Sequence, residues 1–370
     1  MIAYKRQVKM GKLEKIKNIE ILRFLFTLVI VCCHTQHGVI NKFYGQIPLY
    51  DNMRESFYYS WIPVEFFFII SGFFLFSTTN FSLTYPQFAK NKLIRLLPVV
   101  FVSLTLYFIC SLFFHLGFSL KENLFTILNL QNIGLTFQNG NVPASWYVSS
   151  LFWGMSFYFY LNKCVDQKLF NLITACITLF CYSFWIHTSG MNFDNKAIVF
   201  NLGMIRALAG IGLGYFISMW FKENIDKIKK AVFNKFQILL CTFFEIYLFF
   251  TVFYYCCFHY TNYKNLMVFV IYFVGLFMLF LMKKGLLSKL LDNNFSVSIG
   301  KYSFSIFLTH QLIIALWSLT ICEAQKEWVL ANPALNIFVL FVIVILFGIL
   351  IYHLFEKPIT KYLKVKYCNK

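Results

Sequence analysis

Ten stretches of this chain are apolar for long enough to cross a lipid bilayer, and that recurrence constrains the fold more than any other feature. They lie at about 19–39, 59–79, 94–118, 144–162, 169–187, 197–221, 236–258, 265–282, 302–321 and 334–355. A helix rises about 1.5 Å per residue, so about 20 predominantly apolar residues are needed to span the hydrocarbon core. With 59% of its 370 residues hydrophobic and 13% charged, at a mean hydropathy of +0.66, the chain has far more apolar surface than a soluble core absorbs. The expected fold class is an all-α polytopic membrane protein of about ten transmembrane helices. The first run reads as a span rather than a cleavable signal peptide, because it is long, carries Arg23 and lacks a small-residue cleavage site.

A formal net charge of +18 invites a nucleic-acid partner, and the placement of the charges removes it. Lysines and arginines crowd before the first run and after the second, fourth, sixth, eighth and tenth; the intervening loops hold only Lys42, Arg54, Lys121, Lys196, Lys264 and Lys326. The positive-inside rule then puts both termini in the cytoplasm, with a basic segment at about 1–18. The basicity is a topology signal directed at the membrane lipid bilayer, and no nucleic acid is expected. The 11 cysteines include no CxxC pair and no metal-ligand spacing, so they read as small apolar fillers and no metal site is expected. No repeat or linker divides the chain, so residues 1–370 read as a single integral-membrane domain with no fused extracytoplasmic domain.

Polar residues inside the runs carry the functional signal, since a charged group in hydrocarbon costs several kcal/mol and marks a site by default. Arg23 and His34 share the first run. Eleven residues at 100° each is close to three turns, which sets both on one helix face about 16 Å apart. Glu65 lies about 9 Å in from the outer face, Arg206 near the midplane, and His310 about 12 Å in from the cytoplasm, with Glu245 at similar depth. Lys92, Arg95 and Glu356 mark the cytoplasmic rim. Unpaired, the deep groups are expensive, so they are expected to converge on one polar cavity.

These residues fall in motifs that carry a resemblance. NIEILRFLFTLVIVCCHTQ (18–36) resembles the R-x10-H signature that opens the membrane-bound acyltransferase 3 family. VEFFFIISGFFLF (64–76) is similar to its second helix, KLIRLLP (92–98) to its cytoplasmic R-x-x-R-x-x-P element, and MIRALAGIGLGYF (204–216) to its R-x-x-x-G-x-x-x-G helix. SFSIFLTH (303–310) resembles its S-Y-S-I-Y-L-x-H helix start, and EKP (356–358) its closing acidic residue and proline. All six occur in family order. Two departures stand out: Lys92 replaces the usual Arg, losing a bidentate phosphate fork, and SWYVSSLFW (145–153) lacks the glutamate common in the fourth helix.

The resemblance implies transfer of an acyl group, most often acetyl, from cytoplasmic acyl-CoA onto a hydroxyl of a cell-surface or lipid-linked polysaccharide at a bacterial inner membrane. Acetyl-CoA would be a substrate rather than a tightly bound cofactor, and polysaccharide-synthesis proteins are candidate partners. The chemistry suits the residues. A sugar hydroxyl needs a base, and neutral imidazole serves near pH 7, so His34 is the expected general base, with acyl carriage as its alternative. Glu65 would orient it as the third member of a triad. Arg23, Lys92 and Arg95 would hold the phosphates of CoA. Arg206, Ser305, His310 and Trp146 are candidates for the oxyanion or acceptor site, with Trp61 and Tyr147 as exposed rings able to stack on sugar. Competing readings remain for each: Lys92 and Arg95 as positive-inside anchors, Arg23 as a snorkelling cation, His34 and His310 as packing residues, and Trp61 and Trp146 as belt anchors. Glu245 has no assigned role. The competing functions are a glycan-intermediate transporter or exporter, and an inactive assembly partner. O-antigen, capsule, exopolysaccharide, peptidoglycan and lipid-linked acceptors all suit such a core, as do acetyl and succinyl donors.

Overall fold

Among the described residues, each of the ten apolar runs is mainly helical. The computed structural model describes residues 16–44, 62–114, 116–131, 133–135, 140–187, 196–197, 200–258 and 266–368. Trp61, the beginning of the second run and most of the basic N-terminal segment lie outside the described residues.

The helices are α1 (Lys17–Thr35, continued by a π-helical stretch Gln36–Tyr44), α2 (Pro63–Thr78), α3 (Tyr85–Phe114), α4 (Leu120–Ile127), α5 (Ser145–Cys164), α6 (Gln167–His187) and α7 (Leu202–Lys230). There follow α8 (Lys235–Phe258), α9 (Leu266–Met282), α10 (Leu286–Leu290), α11 (Asn294–Gly300) and α12 (Ser303–Trp317, continued by Ser318–Cys322). Last come α13 (Lys326–Ala331), α14 (Pro333–Ile351, continued by Tyr352–Glu356) and α15 (Lys357–Cys368). A two-residue antiparallel pair, Lys196–Ala197 with Phe200–Asn201, leads into α7.

Among the described residues, seven helical segments are long and apolar enough to cross a membrane: Lys17–Tyr44, Tyr85–Phe114, Gln167–His187, Leu202–Lys230, Lys235–Cys257, Asn294–Cys322 and Pro333–Tyr367. The molecule is a multi-pass helical membrane protein. Three further helices account for the difference from the expected ten. α2 is apolar but spans only 16 residues, and α9 is apolar over the 17 residues described for it. α5 has 20 residues, yet four serines, three tyrosines and two tryptophans make it less hydropathic.

One crossing organises the centre. Lipid tails are as apolar as side chains, so helices in a bilayer associate through close backbone packing at small residues. α2 and α7 do so: a Cβ on Gly72 would stand 2.7 Å from the Cα of Ile211, and one on Gly214 would stand 2.6 Å from the amide nitrogen of Phe73. Gly210 is equally tight, 2.8 Å from Glu65 Oε1. The glycines of GIGLG thereby bring Glu65, on α2, against Arg206, one turn before Gly210. A second close approach, Gly348 of α14 against Ile306 of α12, sets the helix that carries His310. Outside this centre α8 turns Phe236, Leu239, Phe243, Phe244 and Phe250 outward, as a lipid-facing helix does.

Candidate active site

The polar interior resolves into three clusters along the membrane axis. At one end of the bundle, Arg23 Nη1 donates to Glu20 Oε2 at 3.0 Å. Arg95 of α3 is exposed and lies in the field of Arg23, Glu20 and Glu356. Ser305, fully buried at the start of α12, donates to Glu356 across the α12–α14 contact. Lys92, one turn before Arg95, places its ammonium 5.4 Å from the centroid of the Phe88 ring. Three cations thus face two carboxylates, a net positive patch at this end.

Deeper lies a pair of histidines. His34, half-buried, falls within the α-helical part of α1, so the three-turn arithmetic from Arg23 holds. Its ring centroid is 4.9 Å from that of His310, with the planes inclined at 46°. His310 is fully buried, and its Nδ1 donates to the carbonyl of Phe307 at 2.7 Å. Gln311 completes the group. Its Oε1 accepts from the Ala144 amide at 3.1 Å, and its Nε2 lies 3.1 Å from Nδ1 of His34.

The third cluster is the ion pair at the α2–α7 crossing. Arg206 Nε lies 3.5 Å from Glu65 Oε2, and the Tyr182 hydroxyl donates to Glu65 Oε1 at 2.7 Å. Trp185 and Trp146 flank the guanidinium, with centroids 4.7 and 5.6 Å from Cζ, an arrangement in which ring quadrupoles offset part of the desolvation of the cation. Tyr147 links the levels. It lies in the fields of Arg23, Arg95 and Glu65 and meets Phe307 edge-on at 5.4 Å.

The structure redistributes several expected partnerships. Glu65 engages Arg206 and Tyr182, while the hydrogen bond of His34 goes to Gln311 and its ring neighbour is His310. Trp146 and Tyr147 are buried, at 6% and 7% exposure, rather than exposed rings at an outer mouth, because each packs on Phe68. Glu245 does not join the cavity. With Thr242 it caps α10: Ser288 N donates to Glu245 Oε2 at 3.0 Å and Leu286 N to Thr242 Oγ1 at 3.0 Å. Side chains of another helix thus satisfy the orphan amides of a short one. Gln311, Tyr182 and Trp185 were missed from the sequence. Gln311 was detectable, as an amide in an apolar run beside His310; the two aromatics were not, in a chain that is 21% aromatic.

A pair of imidazoles, an enclosed ion pair and a cluster of cations, stacked inside a helical bundle, give this membrane protein a polar interior. Residues 16–353 match the acyltransferase 3 family, described as an acyltransferase domain, and the chain belongs to that family. It is a membrane acyltransferase. No curated protein and no solved structure matches it.

Proposed function

We propose that this protein moves an acyl group, acetyl in the simplest case, from cytoplasmic acyl-CoA to a hydroxyl of a cell-surface or lipid-linked polysaccharide, with His34 as general base. The observation that carries the reading is the alignment of a half-buried imidazole with Arg23 on one face of α1, with Arg95, Lys92 and Glu356 around the same rim. A thioester held by its phosphates at that rim extends its acyl end toward His34. Phosphate recognition falls to Arg95, Arg23 and Lys92, and carboxylates Glu20 and Glu356 hold the arginines in place until the donor arrives. His34 takes the hydroxyl proton as the oxygen attacks the thioester carbonyl. In this reading ten helices cross a bacterial inner membrane, both termini face the cytoplasm, the whole chain is one domain, and envelope-polysaccharide enzymes supply the acceptor.

The test is mass spectrometry of envelope glycans from matched strains carrying the wild-type protein, a deletion and His34→Ala. Loss of one acyl increment in both mutants is the expected result and identifies donor and acceptor together. Surface glycan that disappears with its mass unchanged would replace this reading with export.

A further inference from the structure

The two central imidazoles differ in what their surroundings allow them to do with a proton. The Phe307 carbonyl can only accept, so Nδ1 of His310 carries its hydrogen, and in the neutral ring Nε2 is a bare lone pair. That nitrogen is buried and has no hydrogen-bond partner. Leaving a buried acceptor unmet costs about 1–3 kcal/mol, which structural packing alone does not explain.

His34 meets the opposite environment. A backbone N–H can only donate, so the Ala144 amide fixes Oε1 of Gln311 on its own side and turns the NH2 toward His34, 3.1 Å from Nδ1 and 3.4 Å from Nε2. A donor pressed against His34 opposes a second proton there. The carbonyl behind His310 gains strength when that ring becomes cationic, because a charge-assisted hydrogen bond is about twice as strong as a neutral one. The ring centroids are 4.9 Å apart with the planes inclined at 46°; no hydrogen bond joins the rings in this geometry, and the relay requires the His34 ring to turn its N–H toward Nε2 of His310. His37 on α1 is the next titratable neighbour of His34; α14, packed behind His310, carries no charged residue between Pro333 and Ile351.

Building on His34 as general base, we propose that His34 and His310 form a two-imidazole relay in which His310 holds the proton released by the acceptor. As the hydroxyl oxygen bonds to the thioester carbon, the hydroxyl displaces the Gln311 amide from Nδ1 of His34 and passes its proton there, while the Nε2–H of His34 gives its proton to Nε2 of His310. When the C–S bond breaks, the proton returns by the same path to the thiolate, leaving free thiol, the O-acyl product and two neutral imidazoles. His34 touches the substrate; His310 is a positioning residue behind it.

The experiment uses the full chain in lipid nanodiscs, labelled with 15N-histidine, and thiol release from acetyl-CoA with envelope glycan from a deletion strain as acceptor. The expected spectrum contains a ring protonated on Nδ1 that vanishes in His310→Asn and becomes cationic before His34 as the pH is lowered. His310→Asn keeps a donor for Phe307 but has no base. It is expected to lower kcat roughly 100-fold with KM for acetyl-CoA unchanged, and to displace the acidic limb of the kcat profile. Gln311→Glu, which sets a carboxylate against His34, is expected to move the proton to His34 in the same spectrum. An Nε2-protonated His310 in the wild type overturns the relay, as does a His310→Asn enzyme with wild-type kcat and an unmoved acidic limb. Absence of thiol release from the wild type, with the Nδ1-protonated ring and its earlier protonation intact, counts against acyl transfer and leaves the proton preference of the pair supported.

Discussion

The His34–His310 pair and the Glu65–Arg206 pair occupy the same bundle, yet the two are built on opposite plans. Glu65 and Arg206 are sealed at the tightest helix crossing, with a tyrosine hydroxyl on the carboxylate and two indoles on the guanidinium. The histidines are half open: one ring is partly accessible, the other has a buried nitrogen without a partner. A buried ion pair enclosed in this way fixes which helices meet. A titratable pair left incomplete is available for a proton. The difference teaches that depth in the membrane alone does not mark a catalytic group.

The sharpest way to break this comparison is His34→Ala. Removing a general base is expected to lower turnover roughly 10²–10⁴-fold, with normal amounts of protein in the membrane by immunoblot; wild-type acylation from such a variant would move the chemistry away from the histidines. Glu65→Leu comes next. It strands a buried guanidinium, at about 3–5 kcal/mol of stability, seen as a large fall in thermal midpoint in detergent. The double variant Glu65→Leu/Arg206→Met is expected to recover most of that midpoint. If the recovered double variant is stable but turns over no substrate, the sealed pair belongs to the chemistry and the distinction collapses.

Arg95→Ala tests the mouth. It is expected to raise KM for acyl-CoA about tenfold, the worth of one hydrogen bond to a charged group at ~1.5 kcal/mol, and to change saturated turnover less. An unchanged KM relocates the donor site. The smallest effect is expected from Lys42→Met, where Lys42 Nζ meets Glu323 Oε1 at 2.8 Å with both side chains exposed. Lys42 holds the Glu323 carboxyl below its ordinary value through a hydrogen bond and its charge. Its stabilising contribution is therefore present at neutral pH and lost as the pH falls through that lowered value. Thermal midpoints of wild type and Lys42→Met should differ slightly at pH 7 and converge in acid; a constant gap would assign the effect to the lysine ammonium, 4.9 Å from the centroid of the Phe43 ring.

Much of the architecture was legible because hydropathy is additive along a chain. Among the described residues, each apolar run is mainly helical. The lengths of α2 and the polar load of α5 were also in the sequence, and a stricter reading of run length and serine content would have separated them from the seven long spans. The site was legible by component. Arg23 and His34 share a helix face by arithmetic that needs no tertiary information, and His310 and Arg206 were singled out by depth. The partners were not: Glu65 was assigned to His34, and Glu245 was expected in the cavity where it instead caps α10.

What the sequence determined by itself is set by one-dimensional quantities: membrane residence, helical content, the basic asymmetry of the loops, and the three-turn register of Arg23 with His34. Tertiary structure alone decided which polar groups meet. Depth along a helix leaves rotation and neighbour identity free, and these were fixed by close packing at Gly72, Gly210 and Gly214, which delivered Arg206 to Glu65, and by the approach of α1 to α12, which left His34 facing His310. A single fixed amide, Gln311 held by Ala144, then made two chemically identical imidazoles unequal, because the direction of a hydrogen bond depends on three-dimensional neighbours that no spacing in the chain encodes.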